Sequence, residues 1–349
     1  MASASPDDLL FTDLSGERVQ LQDVIYDGLD VDYSARYPAL QQLLRTGRAD
    51  HRLYVAAMLA SWGVEEAFRA VIVWTRNPDE APWVGAPVTF DRISGADSAF
   101  ELLASAIRIS GELDARSPDV DRLRDDATRA LLAIYHLVSF GRALYAALDL
   151  DRALAQRLAS DIGNAVDATI AAANSMTEAG FDLATQAAWL IAVLGPLDDA
   201  HAARAAEALL ADHGDNPRTV RELAHALGFA SGPATRELLE RLAGSPNASV
   251  QADAREALGR ALTIDHFSAC SRARHPSSRS SRSCMPRPRT SQPGSPLLFR
   301  CPPRAATASM ASRAVGRFGM GFFATARSTS SCLGVNALDA GAALFARAK

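Results

Sequence analysis

The chain has 349 residues, a formal net charge of −4, 48% apolar residues and 22% charged residues. That composition suits a globular body with a sizeable core, built as one large domain or two ordinary ones. No run of 18 or more apolar residues occurs, so no membrane span is expected. The opening Met1–Asp8 has neither a basic stretch nor an apolar core and is not read as a targeting segment, which makes the cytoplasm the expected location.

The small net charge hides a division. Residues 266–349 hold twelve Arg and one Lys against a single acid, Asp339, a net of +12. Residues 1–265 hold 23 basic and 39 acidic groups, a net of −16. All four cysteines (Cys270, Cys284, Cys301 and Cys332) also lie in the basic part, so the acidic part needs no disulfide frame and no thiolate metal site. Such asymmetry points to two segments of different character.

In chain order, residues 1–32 are expected to form a short arm or capping hairpin, because apolar stretches flank a turn at Ser15-Gly16. Residues 33–262 read as helix after helix, rich in Ala, Leu and Arg and poor in β-branched clusters. Ser117-Pro118, Asn216-Pro217 and Ser245-Pro246 predict helix starts, since a proline at the first helical position gives up no intrahelical bond. Gly195-Pro196 and Gly232-Pro233 predict breaks. Within this stretch, 77–95 holds three Pro and two Gly and is expected to be a long irregular insertion. Residues 119–176 read as two longer helices with a break near Asp149–Asp151.

Leu194-Gly195, Leu227-Gly228 and Leu258-Gly259 recur at a nearly constant interval, each closing an Ala- and Leu-rich helix. Trp62-Gly63 closes an earlier helix in the same style, and Phe140-Gly141 is a further candidate. A fixed period of about 30 residues with two helices per unit is the mark of stacked repeats that bury a shared core. The segment from Thr235 to Leu262, with Leu238, Leu239 and Leu242 in one helix and Val250, Ala254, Ala257 and Leu258 in the next, resembles a HEAT repeat of the short bacterial kind related to phycobilisome lyases. Gln251 stands where that pattern usually has Arg. Asp50–Ala57 looks like a diverged second copy of the later helix. The resemblance implies an all-α, right-handed α-solenoid of HEAT-like helix pairs. It is nearly silent on activity.

Beyond residue 262 the helical periodicity stops. Ser, Arg and Pro fill more than a third of the basic part. A segment of that kind, 263–349, does not bury enough apolar surface to offset its ordering entropy and is expected to be a disordered tail. It can be read as out-of-frame translation of a GC-rich gene, as a passive tail, or as a basic arm for nucleic acid.

No phosphate loop, His-Glu-x-x-His, Gly-x-Ser-x-Gly or Cys-x-x-Cys occurs, so no catalytic residue, metal or cofactor is assigned. Asp212–Asp215 and His136 read as a capped turn and a histidine on an apolar helix. Asp125-Asp126, Asp198-Asp199 and Glu65-Glu66 read as solvated acids near helix starts. Trp62, Trp74 and Trp189 sit on apolar stripes and are expected in the core. Trp83 is in the insertion, with Phe90, Asp91 and Arg92 close by. These four are the candidate partner-binding residues, with the alternative that Trp83 only staples the loop. The expected function is non-catalytic: a scaffold that binds a protein or peptide partner, a basic one given the −16 body, and that disfavours nucleic acid except through the tail. The alternative is a HEAT-like enzyme, such as a DNA-alkylation glycosylase or a chromophore-lyase-like protein.

Overall fold

A computed structural model of the chain describes residues 5–84, 99–114, 116–175, 180–230 and 232–259. The chain divides into two units, 1–279 and 280–349, and every described residue belongs to the first. The expected tail, 263–349, and most of the 77–95 insertion lie outside the described residues. Among those residues the architecture is all-α. The only extended pairing among them is one isolated antiparallel bridge, Thr12 to Arg18. No described helix is long and apolar enough to cross a membrane.

The helices are α1 (Pro6–Phe11), α2 (Leu21–Asp30), α3 (Tyr37–Thr46), α4 (Ala49–Ser61), α5 (Glu65–Arg76), α6 (Ala99–Ser110), α7 (Pro118–Ala133), α8 (Ala143–Leu150), α9 (Arg152–Arg157), α10 (Ala159–Ser175), α11 (Leu183–Leu194), α12 (Asp199–His213), α13 (Pro217–Leu227) and α14 (Pro233–Ala243). A last helical stretch, α15, covers 248–259.

Several starts follow from side chains that satisfy the free N–H groups of a first turn. Ser117 accepts from Val120 N and Asn216 from Arg218 N and Thr219 N, each followed by its proline. Ser245-Pro246 sits two residues ahead of the helix start it predicts. Asn247 is the cap, accepting from Ser249 N and Val250 N. One cap comes from another helix, α12: the Asp199 carboxylate accepts from Ala234 N, Thr235 N and the Thr235 hydroxyl at the start of α14.

Packing runs between alternate elements. In one layer α4 packs on α6, α6 on α8, α8 on α11 and α11 on α13. In the other, α5 packs on α7, α7 on α10, α10 on α12 and α12 on α14. Neighbours in sequence join the layers, as α4 with α5, α6 with α7, α11 with α12 and α13 with α14. The first layer is the more apolar. Every residue of α11 except Trp189 is buried.

The Leu-Gly period has a packing cause. Gly195 and Gly228 end α11 and α13 with φ of −50° and −65°, so neither needs left-handed backbone. What they need is room. A Cβ on Gly195 would lie 2.6 Å from Ala230 Cβ, and one on Gly228 would lie 2.9 Å from Ala257 Cβ. Each glycine therefore receives an alanine from a later helix or turn, which also seats α15 against the end of α13. Gly63 differs: its φ of +72° turns the chain out of α4.

Several expectations are corrected. The N-terminal arm is two short helices joined by the bridged turn. Both are tied into the core through Leu9, Leu10, Val24 and Ile25. Trp62 Nε1 donates to Ile25 O at 3.0 Å, and its indole lies so close to Gly28 that a side chain there would overlap it. The two long helices expected over 119–176 are four, α7 to α10. Asp151 marks the predicted break and caps α9 through Leu154 N. Asp125 and Asp126 are therefore mid-helix, paired with Arg157 and Arg129. His136 lies in the turn after α7 rather than on a helix. Phe140-Gly141 precedes α8 instead of ending a helix.

Among the described residues, one charged side chain is fully internal. Arg124 of α7 is 1% exposed. It donates from Nη1 to Asp151 Oδ2 at 2.6 Å and from Nε to Ile107 O and Ser110 Oγ, while Nη2 finds no acceptor among the described residues. It thereby ties α6, α7 and the α8–α9 junction together.

Candidate functional site

Trp83 is buried, at 2% exposure. Its ring meets Trp74 edge-on at 5.2 Å and Phe100 at 5.3 Å, and the aromatic contacts continue from Phe100 to Phe140 and from Phe140 to Tyr135. The side chain fills the core between the end of α5 and the start of α6. That is the staple role, because a ring already enclosed by its own chain offers no face to a partner. Phe90, Asp91 and Arg92 lie outside the described residues.

The aromatic row leads to a different surface. Gln186 of α11 is buried and holds the 134–142 turn. Its Nε2 donates to Tyr135 O and Val138 O, and its Oε1 accepts from Phe140 N. Gly141, with φ of +50°, then turns the chain into α8. Those constraints place Arg142 above α11. Its guanidinium lies 5.4 Å from the centre of the Trp189 ring, and its Nη2 donates to Glu222 Oε2 on α13 at 2.5 Å. One arginine thus spans from α8 across α11 to α13.

Glu222 is the centre of this arrangement. Its side chain is 12% exposed, whereas that of Arg142 is 56% exposed. Besides Arg142, Trp189 Nε1 donates to it at 3.2 Å, and Arg221 Nη2 stands 3.8 Å away. The position follows from the amphipathic pattern of α13. Val220, Leu223, Ala224 and Leu227 face the core, which turns 221, 222 and 225 outward. On α15, Val250, Ala254 and Ala257 face inward, and Asp253 and Glu256 turn to the same side as Glu222. The result is a cleft of about 240 Å³ lined by Arg142, Arg221, Glu222, His225, Asp253 and Glu256. Tyr145 lies near enough to feel it: burial and then Asp149 push its phenol up, while Arg142 pulls it down and Glu222 adds a smaller upward push.

The cleft holds three carboxylates, two guanidiniums and the His225 imidazole, and the half-buried Trp189 indole adjoins it through Glu222 and Arg142. Among the described residues it has no nucleophile paired with a base, and no group of three or more His, Cys, Asp or Glu is placed to hold a metal ion. What the arrangement can do is bind a cation, through a ring face and a desolvated carboxylate. The exposed Arg142 that now fills this role is held only modestly, since pairs with a solvated member contribute about 0.2–1 kcal/mol.

The outward face of the second layer is different. Its charges pair across neighbouring helices, with Arg129 on Asp161, Arg241 on Glu207, and His201 Nε2 at 2.9 Å from Asp167. These pairs link helices through residues 32 to 34 apart in the chain.

Sequence reasoning places Trp189 in the core and does not single out Arg142 or Glu222. A usable signal exists: Trp189, Glu222 and Asp253 each stand six residues before a glycine of the Leu-Gly series. No family model, curated protein or solved structure matches the chain.

Proposed function

We propose that the chain is a non-catalytic binding scaffold, an α-solenoid of HEAT-like helix pairs that works in the cytoplasm and takes a basic protein or peptide. The observation that carries this reading is the cleft itself: the same outward position on α11, α13 and α15, six residues before each glycine of the Leu-Gly series, supplies Trp189, Glu222 and Asp253 to one surface, with Glu256 beside them. Stacked repeats form binding surfaces in this way. The alternate-helix packing and the 33-residue separation of Trp189 from Glu222 support the solenoid. The −16 charge of residues 1–265 favours a basic partner over a phosphate backbone. A glycosylase of HEAT type would use a basic concave groove, and this cleft carries more carboxylates than guanidiniums.

A fluorescent peptide of alternating Gly and Arg should bind the full chain saturably. Its affinity should weaken several-fold between about 50 mM and about 300 mM salt, as screened surface charge requires. No saturable binding of that peptide would overturn the reading.

A further inference from the structure

Resting on the basic-partner reading, we propose that the Trp189–Glu222 pair is a receptor for one arginine side chain of the partner, and that Arg142 occupies it in the free chain as a built-in competitor.

Three observations support this. The pocket already holds a guanidinium in the geometry that recognition needs: one face on an indole at 5.4 Å and an N–H on a carboxylate. The receptor half is rigid and largely desolvated. Glu222 is nearly covered and held by Trp189 Nε1, and Trp189 projects from a helix otherwise wholly buried. The occupant half is loose. Arg142 is more than half exposed and stands at the start of α8. A partner arginine can therefore take its place without moving any helix, and Arg142 is left solvated. Asp253 and Glu256, along the same cleft, extend the negative surface on which the rest of a basic segment would lie. Arginine fits better than lysine here because a planar guanidinium can stack and donate at once.

A self-occupied site binds its ligand more weakly by the fraction of time it is open. Removing the occupant should therefore raise affinity. In titrations of the full chain with the Gly–Arg peptide, Arg142→Ala should bind about fivefold more tightly, the factor that a pair of ~1 kcal/mol corresponds to. Glu222→Gln, which keeps the shape and an acceptor for Trp189 Nε1, should weaken binding about tenfold or more. Trp189→Leu, which keeps apolar volume and removes the ring face, should do the same. Arg204→Ala makes the same charge change on α12 of the other layer and should leave affinity unchanged. If Arg142→Ala and Arg204→Ala behave alike, or if Glu222→Gln binds like the parent, the receptor is not there, although a basic partner would still stand. If no variant binds the peptide at all, the basic-partner reading falls as well.

Discussion

Trp83→Ala is expected to remove roughly 3–5 kcal/mol of stability, the range for truncating a fully buried aromatic side chain. Its ring touches Trp74 and Phe100, and Phe100 in turn touches Phe140, so the cavity would open where α5, α6 and the 134–142 turn meet. Aromatic pairs of this geometry add about 0.5–1.5 kcal/mol beyond area burial. Trp83 Nε1 is also buried with no acceptor among the described residues. Trp83→Phe removes that orphan donor and keeps a ring, so its loss should be less than half that of the alanine variant. Denaturant midpoints of the full chain decide the matter. An alanine variant as stable as the parent but weaker in partner binding would restore Trp83 as an interface anchor.

The second large effect is expected at Arg124. Arg124→Ala should lose about 3 kcal/mol, at the lower end of the range for breaking a buried ion pair. Asp151 retains 24% exposure and its bond to Leu154 N, which moderates the loss. Arg124→Met preserves most of the volume and should lose clearly less. The pH dependence carries a separate signature. Burial works to raise the Asp151 carboxyl, but Leu154 N–H and the Arg124 guanidinium outweigh it and hold the carboxyl below its usual value. A lowered carboxylate contributes stability that is present above the unfolded pKa and lost as pH falls through the native one. Without Arg124 that depression shrinks, so stability should fall less steeply below about pH 4 than in the parent. Equal acid slopes in Arg124→Met and the parent would contradict the pairing.

These two residues mark where sequence reading succeeds and where it stops. Local chemistry was legible. Ser117, Asn216 and Gly232 stand at helix starts because capping and proline geometry act over three or four residues. The Leu-Gly period was also legible, although its cause was not: Gly195 and Gly228 are small because Ala230 and Ala257 pack against them. A contact that far along the chain leaves no local mark. The break at Asp151 was visible, but the splitting of 119–176 into four helices was not. Nothing in that apolar stretch announces that Gln186, far along the chain, captures the 134–142 turn. The cleft was missed for the same reason. Trp189 lies on a stripe whose other members are core, and its half-burial depends on which helices flank α11. Arg142 and Glu222 are 80 residues apart and meet only because alternate helices stack.

The outward face of the first layer, rather than the insertion or the second layer, is the surface expected to receive a basic partner. Hydrogen exchange of the full chain with and without the Gly–Arg peptide tests this most directly. Added protection is expected in the 141–145 segment and along α11, α13 and α15, around Trp189, Glu222 and Glu256, with α12 and α14 unchanged. Protection confined to α12 and α14, or to the segment around Trp83, would contradict it.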